Sequence, residues 1–126
     1  MEALLIEQKE FIPLIDFNTD SDILSISGQS YHEYTTEFFQ PVFKWLREYL
    51  STPNREVTLN FKMTYFNTAS SKCFYHIIEM LYEYDISGEG KAIVNWYYPI
   101  NDEDMMETGE DYKFDSEWEN ITLIPY

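Results

Sequence analysis

From Val57 to Tyr65 apolar and polar side chains alternate without a break. Val57, Leu59, Phe61, Met63 and Tyr65 share one face, and Thr58, Asn60, Lys62 and Thr64 share the other. A period of two, carried by β-branched and aromatic residues, predicts a strand with one buried face. The pattern changes at Phe66-Asn67-Thr68-Ala69-Ser70-Ser71-Lys72. Beyond it, Cys73, Ile77, Met80, Leu81 and Tyr84 recur at the three-and-four spacing of an amphipathic helix. A strand therefore runs into a helix through a short polar corner. Asn67, Thr68 and Ser70 are all of types that cap helix starts by accepting bonds from unpaired backbone N–H groups.

The flanking segments extend the pattern. Ile12 to Phe17 and Ile23 to Ser27 read as strands of a hairpin joined by Asn18-Thr19-Asp20-Ser21-Asp22, and Gly28-Gln29-Ser30 reads as a break. His32 to Leu50 is helical in pattern, with Phe39, Val42, Phe43, Leu46, Tyr49 and Leu50 on one side. Pro41 inside it predicts a kink, or a turn feeding a helix with Pro41 in its first turn. Ser87-Gly88-Glu89-Gly90 stops the second helix, and Lys91 to Tyr98 is an apolar run of strand length. Asp102 to Asp111 reads as a short acidic helix, and Ile121 to Ile124 as a last strand. The strand–helix–strand order predicts parallel neighbours. The polar face of the central strand predicts helices on one side only, since a doubly wound sheet buries both faces. The expected fold is a two-layer α/β domain, a mixed β-sheet with helices packed on one face, over residues 1–126 as a single domain.

Composition narrows the function. The 126 residues are 44% hydrophobic and 18% aromatic, enough for a packed core, yet the formal net charge is −15. Only 8 Lys and Arg are present, too few to neutralise a phosphate backbone, so no nucleic acid is expected as partner. The same charge disfavours an anionic membrane surface, whereas a basic protein partner fits. Cys73 is the only cysteine and lies on an apolar stripe, as a buried thiol would. The acidic start Met1-Glu2-Ala3-Leu4-Leu5-Ile6-Glu7 lacks the basic, apolar character of a signal peptide, and a cytoplasmic location is expected.

Catalytic chemistry finds little support. Asp16, Asn18, Asp20 and Asp22 resemble the front of a calcium loop, but Ser21 stands where the turn needs glycine and Ser27 where the bidentate Glu belongs. A solvated turn is the better reading. The acidic run Asp102, Glu103, Asp104, Glu107, Glu110 and Asp111 reads as an exposed helix face. His32 and His76 form no ligand pair, and His76 falls in a helix that looks buried. No catalytic residue, metal site or cofactor is expected. The hydroxyls of Thr68, Ser70 and Ser71 remain. One reading makes them helix caps in a constitutive interaction module. Another makes them a phosphorylation switch, because a helix N-terminus tolerates an added dianion. A small metal-binding or hydrolytic domain using the acidic helix and His76 is a third.

The corner Phe66-Asn67-Thr68-Ala69-Ser70-Ser71-Lys72 resembles the motif of the SiaC family of bacterial regulatory phosphoproteins. So do Ser30-Tyr31, the run Glu37-Phe38-Phe39-Gln40-Pro41-Val42-Phe43-Lys44-Trp45-Leu46, and Val94-Asn95-Trp96-Tyr97-Tyr98. The resemblance implies a fold similar to the STAS domains of anti-sigma-factor antagonists, and no enzymatic activity. It implies phosphorylation of Thr68 by a SiaB-type kinase, reversal by a PP2C-type phosphatase, and, when unphosphorylated, binding to a diguanylate cyclase that promotes cyclic-di-GMP synthesis and biofilm formation. Tyr31, Tyr34 and Phe38, with Asn67, Ser70, Ser71 and Lys72, are then the expected partner-binding residues, and Trp96 to Tyr98 could add aromatic contacts.

Overall fold

The computed structural model describes residues 1–126. In chain order the elements are β1 (Leu4–Ile6), β2 (Leu14–Asn18), β3 (Ile23–Ser30), α1 (Thr35–Tyr49), β4 (Glu56–Phe66), α2 (Thr68–Ile86), β5 (Lys91–Tyr98), α3 (Glu103–Ser116) and β6 (Ile121–Pro125). One six-stranded sheet takes the strands in sequence order. The pairings β1–β2 and β2–β3 are antiparallel, and β3–β4, β4–β5 and β5–β6 are parallel. Three crossovers that each step one strand in the same direction must, with a common hand, put all three helices on one face. The mixed, one-sided architecture expected from the polar positions of β4 is the one observed.

The core lies between sheet and helices. Val57, Leu59, Phe61 and Met63 of β4 meet Phe39, Val42, Leu46 and Tyr49 of α1 and Phe74, Ile77, Ile78 and Leu81 of α2, all at most 1% exposed. Trp96 of β5 is buried against Phe61 and Tyr112, and its indole Nε1 donates to the Met105 carbonyl at 2.9 Å. Gly109 lets α3 close on that indole: a Cβ there would stand 2.4 Å from Trp96 Cδ1.

Several boundaries depart from the pattern. The edge strand β1 was not expected, because three residues are too few to show alternation; Trp45 of α1 holds this end through a bond from Nε1 to the Glu2 carbonyl at 2.9 Å. Strand β3 does not break at Gly28 but runs on to Ser30 through an irregularity, with Gly28 at φ +93°. Gly28 pairs with Met63 and Gln29 with Tyr65, so Thr64 is an extra residue in β4. Parity flips beyond it. Tyr65, expected on the buried face, is turned outward, and Phe66 turns inward onto Phe74 and Trp96.

Pro41 is the seventh residue of α1, well past the first turn. It sits on the exposed side, as does Glu37, whose carbonyl loses its helical donor and can bond to water instead. The third helix extends to Ser116, beyond the expected short segment, because Met105, Gly109 and Tyr112 bury one stripe of it.

Candidate functional site

The carboxyl ends of β3 and β4 and the start of α2 form one rim, and the polar corner sits on it. Asn67 has extended backbone and caps α2, its Oδ1 accepting from Ser70 N at 2.8 Å. Thr68 is the first helical residue and is exposed; the capping side chain is its neighbour's. Ser70 is fully buried, contrary to its expected place on a partner surface. Its Oγ donates to the Ser30 carbonyl at 2.7 Å and lies 2.7 Å from Ser30 Oγ. The same carbonyl accepts from Asn67 N at 3.1 Å. The corner is thus riveted to the end of β3 by buried hydrogen bonds, and Ser70 positions it without facing solvent. Ser71 is half-buried and shares a 2.8 Å hydrogen bond with the Tyr112 hydroxyl of α3, while Lys72 is exposed.

Thr68 borders a cleft of about 270 Å³ lined by Phe66, Asn67, Ser71, Tyr75, Thr108, Asp111 and Tyr112. Burial, followed by the charges of Tyr75 and Asp111, pushes the Tyr112 phenol above its usual range, against the lowering effect of the Ser71 bond. Burial and the bond to Asp115 do the same for Tyr75. Both phenols are therefore neutral near pH 7. The first turn of α2 carries no acidic residue, although the chain has 23 of them. The first turns of α1 and α3 do, with Glu37 in one and Glu103 and Asp104 in the other. The positive end of the α2 dipole beside Thr68 is accordingly unpaired by any carboxylate of its own first turn, and Asp111 of α3 is the one carboxylate lining the cleft.

The other expected residues scatter. Tyr31 is half-buried just beyond β3, Tyr34 is 59% exposed at the start of α1, and Phe38 packs edge-on against Phe39 with centroids 5.0 Å apart. Trp96 is a core residue and offers no surface; Tyr97 and Tyr98 are half-buried at the end of β5. Sequence reasoning missed Phe11, Tyr65 and Tyr112. Gly28 was the available signal for Tyr65, since a glycine in a strand marks a bulge.

The remaining chemistry-bearing residues stand apart from this rim. His76 is exposed, with its ring 4.6 Å from Phe43, and does not lie in the core as its helix suggested. His32 Nδ1 accepts from Tyr34 N at 3.0 Å. Cys73 is buried, which raises its thiol pKa. Asp22, from the calcium-like turn, instead bonds Arg55 at 3.0 Å and the Tyr49 hydroxyl at 2.5 Å. No group of three His, Cys, Asp or Glu side chains is arranged to hold a metal ion.

The family model for SiaC family regulatory phosphoproteins matches residues 6–126. The class is thus a regulatory phosphoprotein rather than an enzyme. The chain belongs to the SiaC family. An uncharacterized protein of Pseudomonas aeruginosa strain UCBPP-PA14 is 29% identical over 115 residues, covering 91% of this chain and 90% of that one. The fold is similar to apo-SiaC from P. aeruginosa, with a TM-score of 0.87, 26% identity, and 98% and 99% of the two chains covered. It is also similar to SiaC in a crystal structure with the diguanylate cyclase SiaD, which that SiaC activates; there the TM-score is 0.90 at 26% identity, again over 98% and 99%. No helix is long and apolar enough to cross a membrane.

Proposed function

We propose that this chain is a single-domain, cytoplasmic adaptor switched by phosphorylation of Thr68. Unphosphorylated, it binds and regulates a diguanylate cyclase of the SiaD kind and so promotes cyclic-di-GMP synthesis and biofilm formation. A SiaB-type kinase adds the phosphate and a PP2C-type phosphatase removes it. The observation that carries the reading is the position of Thr68: exposed on the rim, beside a cleft, at the start of a helix whose own first turn holds no carboxylate.

A phosphate adds about −1.5 to −2 charges. The dipole of α2 and its first backbone N–H groups favour an anion there, so the fold survives the modification. A bound partner does not fare as well. On a chain of net charge −15 the dianion must be desolvated inside an interface where Lys72 is the one basic residue of the corner. Complexes held by a few kcal/mol separate under such a charge.

Incubation with a SiaB-type kinase and ATP, followed by peptide mapping, tests the assignment. Phosphate on Thr68 is expected; phosphate on Ser71 with Thr68 unmodified would overturn it. Thr68→Glu should weaken cyclase binding with little change in melting temperature.

A further inference from the structure

A phosphate on Thr68 has two directions open to it. On a helix the residues three and four positions further on flank the same face, so Ser71 stands to one side of Thr68 and Lys72 to the other. Ser71 lines the cleft. Lys72 is exposed and lies outside it.

In size and hydrogen bonding the cleft suits the group. Its volume of about 270 Å³ equals that of about nine waters at about 30 Å³ each, more than a phosphate needs. Ser71 and Tyr112 carry two hydroxyl protons and make one bond between them, at 2.8 Å. One O–H is therefore left to donate to a phosphate oxygen. Only the charge is wrong. Asp111 is the single carboxylate on the wall, and no Lys, Arg or His lines the cleft to offset it. The influence of that carboxylate spans the cleft. After burial and the Asp115 bond it helps to raise the phenol of Tyr75 on α2, and after burial and Tyr75 that of Tyr112 on α3.

We infer that Asp111 is a positioning residue of the Thr68 switch: its carboxylate bars the phosphate from the cleft and, with Lys72 drawing from the other side, keeps it on the docking rim. This deepens the proposed function and rests on it. Turned inward, the phosphate would bond to the Ser71–Tyr112 pair and leave the surface a partner meets. Turned outward, it confronts the partner and occupies Lys72, the one cation of the corner. Like charge disfavours a dianion beside Asp111, and opposite charge favours it beside Lys72. The acidic residue thus gives a modification that the fold tolerates its effect on a complex.

Calorimetry with purified P. aeruginosa SiaD, on each chain before and after phosphorylation by a SiaB-type kinase, gives a ratio of two affinities. That ratio cancels any effect of a variant on the unphosphorylated complex. Asp111 is exposed, so its variants are expected to melt near the unaltered chain. Asp111→Asn should shrink the ratio about fivefold, and Asp111→Lys should shrink it further. Glu110→Gln removes the same charge from the adjacent exposed position, outside the cleft, and should leave the ratio as it was. Phosphorus NMR reads the steering without a partner. The second phosphate ionisation, ordinarily at about pH 6, should fall by about half a unit in Asp111→Asn and rise in Lys72→Gln. The Tyr75 and Tyr112 phenols stay neutral over that range. An unchanged ratio in both Asp111 variants, an equal change in Glu110→Gln, or an ionisation indifferent to Asp111 would overturn the inference and leave the switch at Thr68 standing. Failure of the unaltered chain to bind SiaD, or to lose affinity on phosphorylation, would remove the proposed function and this inference with it.

Discussion

The buried serine pair under the Thr68 corner makes an asymmetric prediction. In Ser70→Ala, Ser30 Oγ loses its partner at a site only 2% exposed, while the Ser30 carbonyl keeps its bond from Asn67 N. The lost hydrogen bonding contributes about 1 kcal/mol and the stranded hydroxyl about 1–2 kcal/mol more, for a destabilisation of about 2–3 kcal/mol. In Ser30→Ala the Ser70 hydroxyl still donates to the backbone carbonyl at 2.7 Å. Nothing is stranded, and the cost falls to about 1 kcal/mol or less. The double alanine variant removes both hydroxyls together and should cost about 1–1.5 kcal/mol, well short of the sum of the singles, giving a coupling of about 1–2 kcal/mol. Urea denaturation followed by the fluorescence of the three tryptophans reads these values. For a chain of this size about 1 kcal/mol corresponds to roughly 3–5 °C, so Ser70→Ala should melt roughly 6–15 °C early. Additive losses, or a larger loss for Ser30→Ala than for Ser70→Ala, would refute the assignment of Ser70 as the rivet.

Asn67→Ala should destabilise by about 1 kcal/mol through loss of the cap, while Thr68→Ala stays within about 0.5 kcal/mol; equal losses in urea titrations would return the cap to Thr68. Gly109→Ala gains helix propensity of about 1 kcal/mol, but its Cβ at 2.4 Å from Trp96 Cδ1 forces repacking. A net loss of about 1–2 kcal/mol, with altered tryptophan emission, is expected. Tyr49, Tyr75 and Tyr112 all have pKa values raised above 10.0, each chiefly by burial. The neutral phenol is thus favoured in the folded state. The stability it contributes is fully present below about pH 10 and is lost as pH climbs from there through the higher folded values. Unfolding free energy should be insensitive to these groups at neutral pH and fall in alkali together with phenolate absorbance. Phenolate appearing near pH 10 from all eleven tyrosines, without loss of fold, would contradict this.

Local pattern determined much of this protein. Alternation along β4 named its buried face, the three-and-four spacing placed α1 and α2, and the polar stripe of β4 announced helices on one side. Each follows from a period of two or 3.6 acting over a dozen residues, which a chain carries in its own order. The corner residues too were legible as a hydroxyl cluster at a helix start. Their separate roles were not. That Asn67 caps, Ser70 is sealed, Ser71 bonds α3 and Thr68 is left exposed depends on Ser30 and Tyr112, some 40 positions away in the chain. Tyr65 shows the same division. Alternation assigned it to the core, and one extra residue against β3, visible only once the two strands pair, turned its ring to solvent beside Tyr31 and Phe11. Side-chain identity and spacing decide what a segment is. Which groups are left to meet a partner is decided by hydrogen bonds and packing between segments, because burial is a property of the assembled surfaces.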